Sequence, residues 1–370
     1  MQQKQRRHDI DWWRVIAILA VYLHHVCMPF NGDEYHIMNA ESSKVLDDIM
    51  VFFEQIRLPL LFLISGTGTV FAFSKRNSWQ FIKERSYRLL VPLAFGVLVI
   101  VPPQTYFERI DDFSSYGQFY AQLGSYLEVN HLWFIENLFY ISIMSIPIVL
   151  FLRSERSIRV RRAILHRSSS WSGIFFWVLP LIFIKVVSKM YFPEDSKSIT
   201  NLSSTLFYGY FFVSGIVLAT SPQLWEFLKK YRKANLYGAI TAVLFFYGYY
   251  YLPDSIASEY LGIEARWAIW HGVSGWVSWS MVMVLLGYGQ IWFNTPSNIL
   301  KRANEAIYPF YVLHQTVIVV LAYYIIKLEA SIGIKVGLLL LSSFPATIFI
   351  YEFLVCPFRM TRALFGMKRK

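Results

Sequence analysis

DWWRVIAILAVYLHHV, residues 11–26, has the apolar character of a membrane-spanning helix but carries Arg14 and His25 within it. Eleven residues of α-helix make three turns plus about 20°, so both side chains lie on one stripe, about 16 Å apart along the axis. Asp11 falls near the same stripe. Ionisable side chains are costly in lipid and usually mark functional sites. The pattern therefore predicts a membrane helix whose charged stripe lines a site reached from both sides of the bilayer.

The composition of the 370-residue chain is typical of a polytopic membrane protein, because 55% of its residues are hydrophobic and only 16% are charged. Its apolar residues gather in blocks of roughly 17 to 22, the length that crosses a bilayer. We predict an all-α polytopic integral membrane bundle, a single domain over 1–370 with short cytoplasmic tails at 1–11 and 357–370. Ten spans are predicted, at 12–30, 51–73, 89–104, 132–152, 171–188, 202–219, 236–252, 268–291, 306–326 and 336–356.

The placement of basic residues predicts the orientation. Of the 35 Lys and Arg residues, 25 fall on the side of the membrane that holds the N-terminus and only 7 in the alternating loops. The positive-inside rule therefore places both termini in the cytoplasm. The formal net charge of +11 is accounted for by basic loops facing anionic lipid headgroups, so it does not indicate a nucleic-acid partner.

Three arginines near the first spans are candidate site residues. Arg57 lies inside span two, where a guanidinium usually lines a polar cavity. Arg85 and Arg88 stand at the inner start of span three, where they would either anchor the helix to headgroups or bind phosphate through bidentate hydrogen bonds. Arg88 is the better phosphate candidate because apolar residues follow it at once.

Spans four and nine carry the other candidates. The sequence HLWFIEN brings His131 and Trp133 to the outer surface, with Glu136 about one turn deeper. His131 and Trp133 are also what an aromatic belt would contain, whereas a carboxylate inside a span must pair or titrate. In span nine, Tyr308 and His314 occur within YPFYVLHQ, where the histidine is either a hydrogen-bonded core residue or part of the site. No spacing predicts a metal site.

Taken together, these motifs resemble a known family. The residues are Asp11, Arg14 and His25 in the first span, Arg57 before FLISG, Arg85 and Arg88 in R-x-x-R-L-L-x-P, HLWF, FFVSG and YPFYVLHQ. In this order they resemble the acyltransferase 3 family of transmembrane acyltransferases, and most of all its glucan-biosynthesis protein C subgroup. The segment HLWFIEN stands where some subfamilies have G-x-W-T-L-x-x-E, so the role of Glu136 is left open.

The resemblance implies acyl transfer across a bacterial inner membrane. Cytoplasmic acyl-CoA would be the donor, and a hydroxyl of an extracytoplasmic carbohydrate the acceptor. The essential pair of the family corresponds to Arg14 and His25, and its CoA-side arginines to Arg85 and Arg88. A partner that passes the acyl group onward would be a separate protein, because no hydrolase-like domain is fused to this chain.

The residue chemistry agrees with this implication. An alcohol that attacks a thioester must lose its proton, and histidine, with an unperturbed pKa near 6.5, is suited to accept it. His25 is therefore the predicted general base, with Arg14, Glu136 and His131 completing the catalytic set. Glu136 and Glu54 are the acids that could orient His25, and the oxyanion donor is left open among Arg57, His131, His314 and Ser65. The side chains expected to contact the substrates are Arg57, Trp133, Tyr308 and His314.

Several alternatives stay open at the level of sequence. A proton-coupled transporter or flippase for a glycan would share the ten helices and the buried charges. Both acetyl and succinyl groups are compatible with an acyl-CoA donor. Transfer could be direct or pass through an acyl-histidine intermediate, and the oligomeric state is undetermined, a homodimer being one candidate.

Overall fold

A computed structural model describes residues 7–194 and 196–368, and within them the chain forms helices and no strands. The longer helices are α1 (His8–Cys27), α2 (Lys44–Phe73), α3 (Ser78–Glu108), α4 (Tyr116–Ala121), α5 (Trp133–Met144), α6 (Ile146–Arg153), α7 (Ile158–Ser168) and α8 (Val178–Tyr191). They continue as α9 (Leu202–Thr220), α10 (Pro222–Lys230), α11 (Arg232–Tyr250), α12 (Asp254–Tyr260), α13 (Ile263–Trp292), α14 (Asn298–Ile325), α15 (Ile332–Ile350) and α16 (Arg359–Leu364).

The predicted fold class, an all-α polytopic membrane protein, is confirmed. Seven helices of the described chain are long and apolar enough to cross a membrane: α1, α2, α3, α9, α13, α14 and α15. The pair α5 and α6, bent by 44° between them, makes an eighth candidate. The other two predicted spans, 171–188 and 236–252, overlap α8 and α11. These two helices are not both long and apolar enough to be counted with the seven. A span count of ten therefore stays a prediction.

The chain divides into two compact units, each assembled from separated segments. The first unit comprises the chain up to Arg14, Gln55–Phe81 and Tyr140–Ser297. The second unit comprises Val15–Glu54, Ile82–Phe139 and the chain from Asn298 onward.

In the first unit, α13 is the central helix, and α8, α10 and α11 pack against it. Helices α2 and α9 cross in backbone contact. A Cβ atom added at Gly66 would lie 1.9 Å from the carbonyl oxygen of Phe212, and one at Gly215 would lie 2.0 Å from that of Leu63. Because lipid chains are as apolar as side chains, membrane helices gain contact by such close approach of small residues. The glycines of ISG and VSG therefore build a helix crossing.

In the second unit, α14 packs against α15 and against the end of α3. Helix α3 contains two π turns, Ser86–Leu90 and Gly96–Ile100. Such turns are rare and are frequent at functional sites. Thr316 of α14 donates a hydrogen bond to the carbonyl oxygen of Ile100 in the second π turn, at 2.6 Å. This bond fixes the register of α14 against α3 beside the polar cluster described next.

Candidate active site

Three histidines from distant parts of the sequence meet in the second unit. His25 comes from the end of α1, His131 from the turn before α5, and His314 from the middle of α14. The ring centroids of His25 and His314 are 5.1 Å apart, those of His131 and His314 are 5.6 Å apart, and those of His25 and His131 are 6.5 Å apart. The sequence predicted all three as site residues, and the tertiary structure brings them together.

Hydrogen bonds fix the tautomer of His25. The Nδ1 atom of His314 lies 2.6 Å from the carbonyl oxygen of Tyr311, so it must carry the proton and donate it. Its Nε2 atom is then an acceptor, and it lies 2.8 Å from Nδ1 of His25. His25 therefore donates from Nδ1, and its Nε2 is left as the unprotonated nitrogen of the ring. An unprotonated Nε2 is the atom that a general base uses.

His131 is held by both ring nitrogens. Its Nε2 atom donates to the carbonyl oxygen of Val312 at 3.1 Å, and its Nδ1 atom lies 3.5 Å from the side-chain amide nitrogen of Gln104. The hydroxyl of Tyr311 donates to the backbone carbonyl of His131. A neutral His131 therefore uses its single N–H to hold α14. We call residues 311–316 of α14 the polar segment.

A second set of polar side chains continues from the polar segment into the loop after α1, and we call it the amide–histidine network. Its members are His36, Gln104, Glu108, Asn130, Gln315 and Thr316. Gln315 uses its amide nitrogen to donate to Oε1 of Gln104 at 3.0 Å and to Oδ1 of Asn130 at 3.1 Å. His36 lies against the same Asn130 oxygen through Nε2, at 3.1 Å, and donates from Nδ1 to the Glu108 carboxylate.

The sequence pointed to none of His36, Gln104, Glu108 or Asn130. His36 and Asn130 lie outside the regular spans, and amide side chains carry no periodic signal. Asn130 does have a local peculiarity, because its φ of 50° is the one positive φ among the described residues other than glycine. Asparagine is among the few residues that adopt this region, and backbone of this kind is often found at functional sites. Its position directly before HLWF is the only hint that the sequence contained.

Arg88 and Tyr308, both predicted site residues, meet at the first π turn of α3. The Tyr308 hydroxyl donates to the backbone carbonyl of Arg88 at 3.2 Å. The Arg88 guanidinium is paired with Glu84 at 3.2 Å and is about two-fifths exposed. Arg85 lies in the same turn of the chain and is half-buried. The Arg88 guanidinium is therefore accessible beside the first π turn of α3.

The remaining predicted residues are placed as follows. Helix α1 is unbroken, so Arg14 shares it with His25, and Arg14 is paired with Asp11 at 3.2 Å. Arg57 is buried in α2, in the first unit. Trp133 and Glu136 lie in the first turn of α5, in the second unit, and both are half-buried.

The structure places a histidine at Nδ1 of His25, and the role of an acid in orienting this ring stays a prediction. Glu136 and Glu54 were the candidates to orient His25, whereas the structure has His314 at Nδ1 of His25. The Tyr311 carbonyl accepts from His314, so a backbone group stands at the end of this chain, where a catalytic triad has a carboxylate. Among the described residues, no group of three or more His, Cys, Asp or Glu side chains is arranged to hold a metal ion.

Among the described residues, seven helices long and apolar enough to cross a membrane, together with a cluster of three histidines, define an all-α polytopic membrane protein. The chain matches the family model Acyl_transf_3, an acyltransferase domain, over residues 7–353, and it belongs to that family. It is therefore a membrane acyltransferase. Neither a curated protein nor a solved structure gives a significant match.

Proposed function

We propose that the protein transfers an acyl group from cytoplasmic acyl-CoA to a hydroxyl of an extracytoplasmic glycan, with His25 as the general base. The observation that carries the proposal is the chain of hydrogen bonds from His25 through His314 to the Tyr311 carbonyl. It leaves a basic Nε2 on a membrane helix that also carries Arg14.

The reaction would proceed by direct attack. The acceptor hydroxyl gives its proton to Nε2 of His25 as its oxygen bonds to the thioester carbonyl carbon. The tetrahedral intermediate then collapses, the carbon–sulfur bond breaks, and the CoA thiolate takes the proton from His25. His314 orients the ring throughout and shares the positive charge that His25 acquires. The ring-to-ring bond of 2.8 Å is short enough for that role.

Arginine side chains would bind the acyl-CoA donor. Arg14, Arg85 and Arg88 are assigned to the phosphates of CoA, for which guanidinium groups supply bidentate, charge-assisted hydrogen bonds. Tyr308 is assigned to positioning, because its hydroxyl is committed to the Arg88 carbonyl. His131 is likewise assigned to positioning, since its N–H holds the carbonyl of Val312.

The acceptor side rests on the resemblance of the motifs to the glucan-modifying subgroup. A glycan hydroxyl would approach from the side of the membrane opposite both termini, given the excess of Lys and Arg on the terminal side. Trp133 offers an aromatic face against which a sugar ring can stack, and Arg57 would contribute a hydrogen-bond donor within the spans. A bacterial inner membrane with periplasmic glycan is the setting that fits this orientation.

The experiment measures release of free CoA by purified protein given acetyl-CoA or succinyl-CoA and a crude glycan fraction. The wild-type enzyme should release CoA in an acceptor-dependent manner with at least one donor. His25→Ala should lower the rate by about 10²–10⁴-fold, the contribution of a general base, while acyl-CoA still binds. The neighbouring His24→Ala is the matched control and should have a small effect. Equal CoA release by wild type and His25→Ala would contradict the mechanism, and no release by wild type with any donor would contradict the function.

A further inference from the structure

Tyr35 and Asn130 flank the ring of His36 in the second unit. The rings of Tyr35 and His36 meet edge to face, with centroids 5.1 Å apart, and Oδ1 of Asn130 lies 3.1 Å from Nε2 of His36. Tyr35 also stacks on His25, with ring centroids 6.3 Å apart and planes inclined by 21°. Tyr35 thus contacts the ring of the proposed base, and Asn130 is linked to Tyr35 through the His36 ring between them.

Each of the two side chains holds a buried donor that is not used. The hydroxyl of Tyr35 and the amide nitrogen of Asn130 have no hydrogen-bond partner within the described chain, although both atoms are shielded from solvent. Burying a donor without an acceptor costs free energy, so such groups are rare and require an explanation. A ligand that presents an acceptor oxygen at this position would provide one.

The amide of Asn130 is held with its nitrogen available. The amide nitrogen of Gln315 lies 3.0 Å from Oε1 of Gln104, 3.1 Å from Oδ1 of Asn130 and 3.2 Å from Nε2 of His36, and the Asn130 oxygen that faces it accepts one of its protons. Turning the amide over would set its nitrogen against the Gln315 nitrogen, donor against donor, at 3.1 Å. The network therefore keeps the Asn130 N–H groups directed away from Gln315. The φ of 50° at Asn130 is held by the same contacts.

The hydroxyl of Tyr35 is a dependable donor for a different reason. Burial raises the pKa of Tyr35 above its ordinary value, so the hydroxyl keeps its proton over the whole working range of pH. His131 and His314, which also border the ring of His25, both use their N–H on backbone carbonyls of α14.

We propose that the Tyr35 hydroxyl and the Asn130 side-chain N–H form the oxyanion hole for the acyl carbonyl. The assignment rests on the proposed acyl transfer. When the acceptor oxygen bonds to the carbonyl carbon, the π electrons of the carbonyl move onto its oxygen, and these two donors bind the resulting oxyanion. As the electrons return, the carbon–sulfur bond breaks and the thiolate leaves with the proton held by His25. Donors set in place before the reaction and shielded from water are the most effective form of such stabilisation.

The test uses two nearly isosteric variants of the full-length protein. Tyr35→Phe removes only the hydroxyl. Asn130→Asp keeps an oxygen for Gln315 and His36 and replaces the donor by an acceptor. Each should lower kcat by about 10²–10³-fold, the scale measured for loss of one oxyanion donor. The KM for acyl-CoA and for the acceptor should hardly change, because an oxyanion contact forms only in the transition state. Tyr116→Phe, at the start of α4, is the control and should retain wild-type kcat.

Thermal unfolding separates this role from a structural one. Because the Tyr35 hydroxyl has no partner within the described chain, Tyr35→Phe should not lower the melting temperature. An active wild type together with undiminished kcat in Tyr35→Phe would overturn the oxyanion hole and leave the acyl transfer standing. A rise in the acceptor KM at unchanged kcat would also overturn it, in favour of acceptor binding. If the wild type consumed no acyl-CoA, both the proposed function and this assignment would fall.

Discussion

The crossing of α2 and α9 in the first unit and the polar segment of α14 in the second unit hold their helices by opposite means. At the crossing, Gly66 and Gly215 remove side chains so that backbone meets backbone. In the polar segment, His25 of α1 and Gln104 of α3 bond the side chains of His314 and Thr316, and His131 before α5 bonds a backbone carbonyl of α14.

The difference shows how each contact would respond to change. A backbone crossing is sensitive to volume and indifferent to chemistry, whereas a hydrogen-bonded segment tolerates changes of shape but depends on the identity of each donor and acceptor. Substitutions at the first should alter stability at constant activity per folded molecule. Substitutions in the polar segment should alter activity per folded molecule at nearly constant stability.

The largest effect on stability is expected for Gly66→Ala. Its Cβ would fall 1.9 Å from the Phe212 carbonyl oxygen, which is backbone and cannot turn away. The helices must separate, at a cost of about 3 kcal/mol or more, at the upper end for overpacking. Thermal unfolding of the purified protein in detergent measures the change.

Gly68→Ala is the matched control for this prediction. Gly68 lies in the same helix, and no atom beyond its own turn lies within 4 Å of the Cβ position. Alanine should therefore stabilise the helix by about 0.5–1 kcal/mol. If Gly66→Ala and Gly68→Ala had the same melting temperature, α2 and α9 would not be in close backbone contact at Gly66.

An effect of intermediate size is expected at the first π turn of α3. Arg88→Ala should weaken acyl-CoA binding by about 1.5–3 kcal/mol, the scale for losing a hydrogen bond to a charged group. Tyr308→Phe, which releases the Arg88 carbonyl, should have a smaller effect on the same affinity. Calorimetric titration with acyl-CoA checks both. Unchanged affinity in Arg88→Ala would return the arginine to anchoring lipid headgroups.

A further effect is expected at His314, and it concerns activity alone. His314→Phe keeps a ring of similar size but removes the acceptor for His25, so activity should fall by about 10–10²-fold, as for loss of a partner that orients an imidazole. His314→Gln offers an amide oxygen in place of Nε2 and should recover part of the loss. Acyl-CoA binding should be unaltered in both. Full activity in His314→Phe would show that His25 is oriented by another group.

The smallest expected effect concerns alkaline pH. Burial raises the pKa of Tyr35, so above pH 10 its hydroxyl ionises in the unfolded chain before it does in the folded one. The unfolded state then binds fewer protons, and stability falls as pH rises. Tyr35→Phe should melt at a temperature less sensitive to pH above 10 than wild type does. An identical pH dependence would show that Tyr35 ionises freely in the folded protein.

How much of the site the sequence could predict depends on the residue. His25, His131 and His314 stood out because an imidazole inside an apolar stretch is costly unless it has a purpose. Arg88 stood out because apolar residues follow it directly. His36, Gln104 and Asn130 gave no such signal, since polar residues near the ends of spans are ordinary there. The two glycines of the crossing stood in the motifs FLISG and FFVSG, but no local pattern showed that Gly66 meets Phe212 or that Gly215 meets Leu63.

The sequence by itself determined the helical membrane fold and the family, and it predicted His25 as the base. These follow from the length of apolar blocks and from the cost of placing ionisable groups within them, both of which are local properties. Only the tertiary structure decided that His314, and not an acid, lies at Nδ1 of His25, and that Tyr35 and Asn130 keep unused donors beside it. Hydrogen bonds between residues about 290 positions apart depend on the packing of α1, α3 and α14 against one another, which no local pattern in the chain encodes.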